Sequence, residues 1–111
     1  VYYQKGQLTE AVSEFQAALD INPEDAEAHY LLGAAYVQMG RMDEAVKEFN
    51  TALEYDPDLP EAHFGLGTVH KLQGNTEEAI KAFEHFLELG SAQDPQARVE
   101  AERLLRELKG Q

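Results

Sequence analysis

Cysteine is absent from this sequence of 111 residues. That excludes a disulfide framework, a thiolate nucleophile and any cysteine-ligated zinc or iron-sulfur site. Basic residues are scarce: Lys and Arg number 9 against 21 Asp and Glu, a formal net charge of -12. A chain so negative repels phosphate backbones, so nucleic acid is not expected as a partner. Proline occurs only four times, and 43% hydrophobic with 27% charged residues is the composition of a folded domain rather than a disordered chain. Long apolar runs are lacking too. The longest, LLGAAYV from Leu31, falls far short of a membrane span, and no basic, apolar leader precedes the first repeat. A soluble, cytoplasmic chain without membrane insertion is expected.

What the sequence does have is repetition. GQLTEAVSEF from Gly6 returns as GRMDEAVKEF from Gly40 and as GNTEEAIKAF from Gly74, thirty-four residues apart each time. In the first copy Leu8, Ala11, Val12, Phe15, Ala18 and Leu19 fall on one face of a helix, a spacing that no strand shares. Glu10, Glu44 and Glu78 are expected in first turns, where carboxylates favour the positive end of the helix dipole, with Thr9 and Asp43 as caps. INPED and DPDLP end these helices, because proline cannot continue one and Asn22 or Asp56 suits a turn.

A second helix follows in each copy. Pro60 and Pro95 suit first helical turns and Asp94 a cap. Ala28, Leu32, Ala35, Tyr36 and Met39 form its inner stripe, answered one repeat later by Ala62, Leu66, Val69, His70 and Gln73. Gly33 and Gly67 recur inside these helices at a cost of roughly 1 kcal/mol each relative to alanine. Another helix is therefore expected to cross there at close range, with Ala11, Ala45, Ala79, Ala18 and Ala52 as its small partners.

The series AHYLLGAAY, then glycine, then DEAVKEFNTALEYDP, from Ala28 to Pro57, resembles the tetratricopeptide repeat, an antiparallel helix pair. On that resemblance the chain is a single all-α domain: a partial repeat at 1–25, full repeats at 26–59 and 60–93, and a terminal helix at 94–111. In the terminal helix Ala97, Ala101, Leu104, Leu105 and Leu108 form the stripe, while Glu102 replaces the glycine and marks a cap. Phe86 stands where Ala18 and Ala52 stood, and LGSAQ replaces the Asp-Pro turn.

The resemblance implies a right-handed α-solenoid of stacked antiparallel helix pairs, whose concave groove grips a protein or peptide partner. Carried over, the groove holds Tyr3, Gln4, Glu27, Tyr30, Ala34, Val37, Gln38, Glu61, Phe64, Thr68, Lys71 and Leu72, with Val99, Arg103 and Arg106 at its far end. Tyr30 and Phe64 lie off the packing stripe and are the expected anchors. Lys71, Arg103 and Arg106 either hold a ligand carboxylate or are solvated and paired with a Glu one turn away. A subset of the family clamps C-terminal carboxylates with Lys and Asn. Here Tyr30, Ala34, Phe64, Thr68 and Val99 occupy those places and only Arg103 agrees, which argues against that specialisation.

No catalytic set recurs locally, and GLG at Gly65 lies within a helix rather than after a strand, so neither an enzyme nor a cofactor is expected. His29 and His63 recur in phase but are read as packing rather than metal ligands, His70 as partly buried and His85 as outward-facing. Repeat phase places Val1 inside a helix, so the chain reads as part of a longer array after a short helical stub. Its open first edge would then favour a homo-oligomer. The alternative function is accordingly a self-association segment, or the interaction arm of a larger enzyme or assembly.

Overall fold

A computed structural model of the protein describes residues 5–89 and 94–110. Among the described residues there are six helices and no strand: α1 (Lys5–Ile21), α2 (Ala26–Gln38), α3 (Met42–Tyr55), α4 (Pro60–Leu72), α5 (Thr76–Leu89) and α6 (Pro95–Lys109). They fall into two compact units, one ending at Pro57 and the other beginning at Asp58. Within the first, α2 packs on α1 and more extensively on α3; within the second, α5 packs on α4 and α6.

Glycine makes the tight turns between paired helices. Gly40 and Gly74 have φ of 79° and 82°, the left-handed region that other residues enter only with strain. After α2 the Gly40 N–H donates to the Val37 carbonyl (3.0 Å) and the Arg41 N–H to the Tyr36 carbonyl (2.8 Å), the doubly bonded helix terminator of the Schellman type. Gly74 and Asn75 repeat it on Lys71 and His70 at 3.1 and 2.8 Å. Gly6 does not turn, because the helical bonding of α1 already runs through it from Lys5. The stub at residues 1–4 lies outside the described residues.

The capping expectations divide. Asp94 caps α6 by accepting from the Ala97 N–H (3.1 Å), and Asp25 does the same for α2 at the Ala28 N–H (3.1 Å). Pro60 and Pro95 occupy first turns. Thr9 is no cap, since α1 begins four residues earlier, and Glu10 is likewise past the first turn. Asp43 is already the second residue of α3: the N-cap is Arg41, whose side chain makes no capping bond.

Two small cores result. In the first unit Ala28, Leu32, Ala35 and Tyr36 of α2 bury against Ala45, Phe49 and Ala52 of α3. In the second, Ala62, Leu66 and Val69 of α4 are buried, and α5 and α6 bring together Ala79, Phe83, Phe86, Ala101, Leu104, Leu105 and Leu108. The stripes end sooner than expected: Met39 is half-buried and Gln73 exposed. Among the described residues of α1 none is fully buried, and Ala18 is exposed.

The recurring glycines do mark close crossings, but the partner is aromatic. A Cβ on Gly33 would lie 2.9 Å from the Phe49 ring, and one on Gly67 would lie 2.7 Å from the Phe83 ring. Ala45, one of the small partners expected there, does lie at the Gly33 crossing, its carbonyl oxygen 3.3 Å from that Cβ. The glycine clears a slot for the edge of a fully buried phenylalanine one helix away.

Candidate functional site: the first-helix faces

The residues assigned to the groove lie on α2 in the first unit and on α4 and α6 in the second. Helical spacing aligns Tyr30, Ala34, Val37 and Gln38 on one face of α2, and Phe64, Thr68, Lys71 and Leu72 on the matching face of α4. Val99, Arg103 and Arg106 repeat the spacing on α6. Tyr3 and Gln4 lie outside the described residues.

The two expected anchors are not free surface rings. Tyr30 is half-buried, with its ring centroid 6.0 Å from that of Phe49. Phe64 meets Phe83 and Phe86 edge to face at 5.4 and 5.1 Å, and packs against the α5–α6 cluster. Phe86 explains the difference: a ring in place of alanine extends that core far enough to reach Phe64. Expecting both rings off the packing stripe was therefore wrong.

The exposed apolar residues on these faces are Leu72 (62% exposed) and Val99 (61%). Glu27, Glu61 and Gln38 are exposed, and Ala34 and Val37 half-buried. The Thr68 hydroxyl donates to the Phe64 carbonyl (3.0 Å) within its own helix.

The basic residues differ in what holds them. Arg103 bonds Glu100 at 2.6 Å and also Glu107, bracketing its guanidinium between two carboxylates. The hydrogen bond to Glu100, then the charges of Glu100 and Glu107, raise it above its ordinary range. Arg98 pairs with Glu102 (3.5 Å) and Lys109 with Glu84 (3.1 Å). Lys71 and Arg106 make no ion pair with another described residue.

The histidines are engaged in packing. His29 stacks on Tyr55 at 5.8 Å while its Nδ1 lies 2.8 Å from Glu48 and its Nε2 2.8 Å from the Pro23 carbonyl. This joins the turn before α2 to α3. His63 stacks on His85 at 5.1 Å. His70 is half-buried and His85 exposed, as read from the sequence. Among the described residues no three His, Cys, Asp or Glu are grouped to hold a metal ion, and no helix is long and apolar enough to cross a membrane.

Short paired helices, left-handed glycine turns and glycine slots under phenylalanine define an all-α helical-repeat protein. The TPR repeat family matches residues 1–40 and 34–74, and the Tetratricopeptide repeat family matches residues 60–91; the chain belongs to the tetratricopeptide-repeat family. No curated protein matches it. Among solved structures it is similar to SycD, the type III secretion translocator chaperone of Yersinia enterocolitica, at 24% identity and TM-score 0.85, over 96% of this chain and 75% of that one. It is similar to PcrH in complex with the chaperone binding region of PopD at 24% identity and TM-score 0.87, over 97% of this chain and 83% of that one. It also resembles the TPR2B domain of yeast Sti1 in complex with pHsp70 at 20% identity and TM-score 0.86, over 96% of this chain and 86% of that one. At these identities the likeness is one of fold.

Proposed function

We propose that the chain is a non-catalytic, cytoplasmic interaction module that holds a peptide or partner helix against a first-helix face, that of α4 and α6 in the second unit. The observation that carries this reading is the exposure of Leu72 and Val99 on that face, since aliphatic side chains left open on short, otherwise packed helices favour contact with a partner. PcrH in complex with the chaperone binding region of PopD and the TPR2B domain of Sti1 in complex with pHsp70 are instances of the same fold bound to a partner, which supports the reading. Self-association is the second reading, favoured by the half-covered stripe of Leu8, Ala11, Val12, Phe15 and Leu19 on α1.

Selection from a random peptide library displayed on phage tests the first reading. Peptides should be enriched, and Leu72→Asp with Val99→Asp should abolish their capture while leaving the helical circular dichroism unchanged. Lys47→Ala, on exposed α3 surface, should change nothing. Glu48 would be a poor control because it holds His29. Enrichment unaffected by the double change would place binding elsewhere, and a concentration-dependent dimer that loses its association on Phe15→Asp would favour the second reading.

A further inference from the structure

His29 and His63 stand one repeat apart, yet their ring nitrogens meet different partners. Ala82 occupies in the second unit the repeat position that Glu48 holds in the first, and His63 stacks on the His85 ring. At His29 both nitrogens reach oxygen: Nδ1 lies 2.8 Å from Glu48 Oε1, and Nε2 lies 2.8 Å from the Pro23 carbonyl. An ionised carboxylate and a carbonyl only accept, whereas a neutral imidazole has one N–H and one bare lone pair. In either neutral tautomer, therefore, a lone pair faces an oxygen at contact distance. The side chains of His29 and Glu48 are only 13% and 18% exposed, so water does little to relieve that opposition. One more proton satisfies both contacts, and it belongs on the ring, because an imidazole binds a proton more tightly than a carboxylate does.

We infer that His29 is a pH-sensitive latch: as the imidazolium it donates to both Glu48 and Pro23 and ties the turn before α2 to α3, and on losing a proton it releases one of the two. The neighbouring charges are otherwise engaged. On α3 Tyr55 stacks on the ring at 5.8 Å, and Glu44, one turn before Glu48, is held by Arg41 at 3.6 Å. In the turn the Asp25 carboxylate accepts from the Ala28 N–H (3.1 Å), and Glu24 is exposed. From α1 the polar contact on α2 is uncharged, Gln16 donating to the Tyr36 hydroxyl (3.4 Å) two turns further along. What the latch governs is α1. That helix runs into the turn through local bonds, the Asn22 N–H to the Ala18 carbonyl (2.9 Å) and the Asp25 N–H to the Asn22 carbonyl (3.2 Å), and none of its described residues is fully buried. The latch holds where the ring is charged and Glu48 is ionised, so its contribution falls as pH rises and the ring loses its proton, and falls again in strong acid as the carboxylate is protonated.

Glu48→Gln separates the charge from the contact. Its amide can donate to Nδ1 while Nε2–H donates to Pro23, so a neutral ring is satisfied and the latch no longer titrates. In thermal unfolding of the whole chain, the wild-type midpoint should gain on that of Glu48→Gln by about 4 °C between about pH 8 and about pH 6. Taking the difference cancels the responses of the other histidines. Amides at the end of α1, Ala18 to Ile21, should exchange faster in the wild type than in Glu48→Gln at about pH 8 and no faster at about pH 6. Nitrogen NMR of the wild-type ring needs no variant: at about pH 7, where a solvated histidine is mostly neutral, both His29 nitrogens should carry protons. A bare ring nitrogen at that pH, or equal responses of the two proteins to pH, would overturn the latch.

Discussion

A single methyl group separates two kinds of glycine in this protein. At Gly67 a Cβ would lie 2.7 Å from the ring of Phe83, which is fully buried and has no room to retreat. Alanine's helix propensity favours the change by about 1 kcal/mol, but overpacking a rigid core costs about 1 to 3 kcal/mol. Gly67→Ala should therefore lose net stability, about 1 kcal/mol in urea unfolding. Gly6, inside α1 with nothing within 4 Å of its would-be Cβ, carries the propensity term alone. Gly6→Ala should gain about 0.5 to 1 kcal/mol, and equal signs for the two changes would refute the crossing argument. The close approach at Gly33 and Gly67 was legible in the sequence because a helix-breaking residue recurred in phase. The role of Phe64 was not: its position depends on the reach of Phe86, and no stripe on α4 alone reveals a ring supplied by α5. Phe64→Ala should consequently cost about 2 kcal/mol of stability, so its loss of binding would confound folding with recognition. Leu72→Ala, at an exposed site, should leave the unfolding curve within about 0.5 kcal/mol of wild type.

Helix ends were the less legible part of the elements, and the reason is local. After Gly40 the doubly bonded turn is completed at Arg41, so α3 starts at Met42 and the acidic residue read as its cap falls inside it. The same glycine letter at Gly6 brings no turn, and α1 runs through it. Helix identity and pairing were legible throughout, because apolar spacing depends on many residues while a cap depends on one. Asp25 and Asp94 are caps whose side chains accept backbone bonds at 3.1 Å, so Asp25→Ala and Asp94→Ala should each cost about 1 kcal/mol. Arg41 offers the reverse case: its side chain caps nothing and makes only an exposed contact of 3.6 Å with Glu44. Arg41→Ser should raise stability by about 0.5 kcal/mol, as a new cap outweighs a surface ion pair. A loss in that variant would mean that the Arg41 pair contributes more than exposed pairs usually do.

At the scale of the whole molecule the net charge of -12 sets two electrostatic effects against each other, and salt decides between them. The ion pairs are largely within single helices and exposed, Arg103 with Glu100 and Glu107, Arg98 with Glu102, Arg41 with Glu44. Such pairs contribute roughly 0 to 1 kcal/mol each, and salt weakens them. Opposing them is the mutual repulsion of the excess carboxylates, which folding concentrates and which salt relieves. Both terms are screened over the same Debye length of about 10 Å at 0.1 M, so the sign of the net effect reports which is larger. Few pairs and many unpaired carboxylates put repulsion ahead. The midpoint of thermal unfolding should therefore rise as NaCl is added from about 0.01 to 0.3 M, by about 4 to 8 °C if the relief reaches about 1 kcal/mol in a domain of this size. A Lys71→Glu, Arg106→Glu double variant should steepen that rise, since it exchanges two cations for two further anions. A midpoint that falls with salt in the wild type would show that the helix-bound pairs, Arg103 and its two glutamates foremost, outweigh the repulsion of the whole chain.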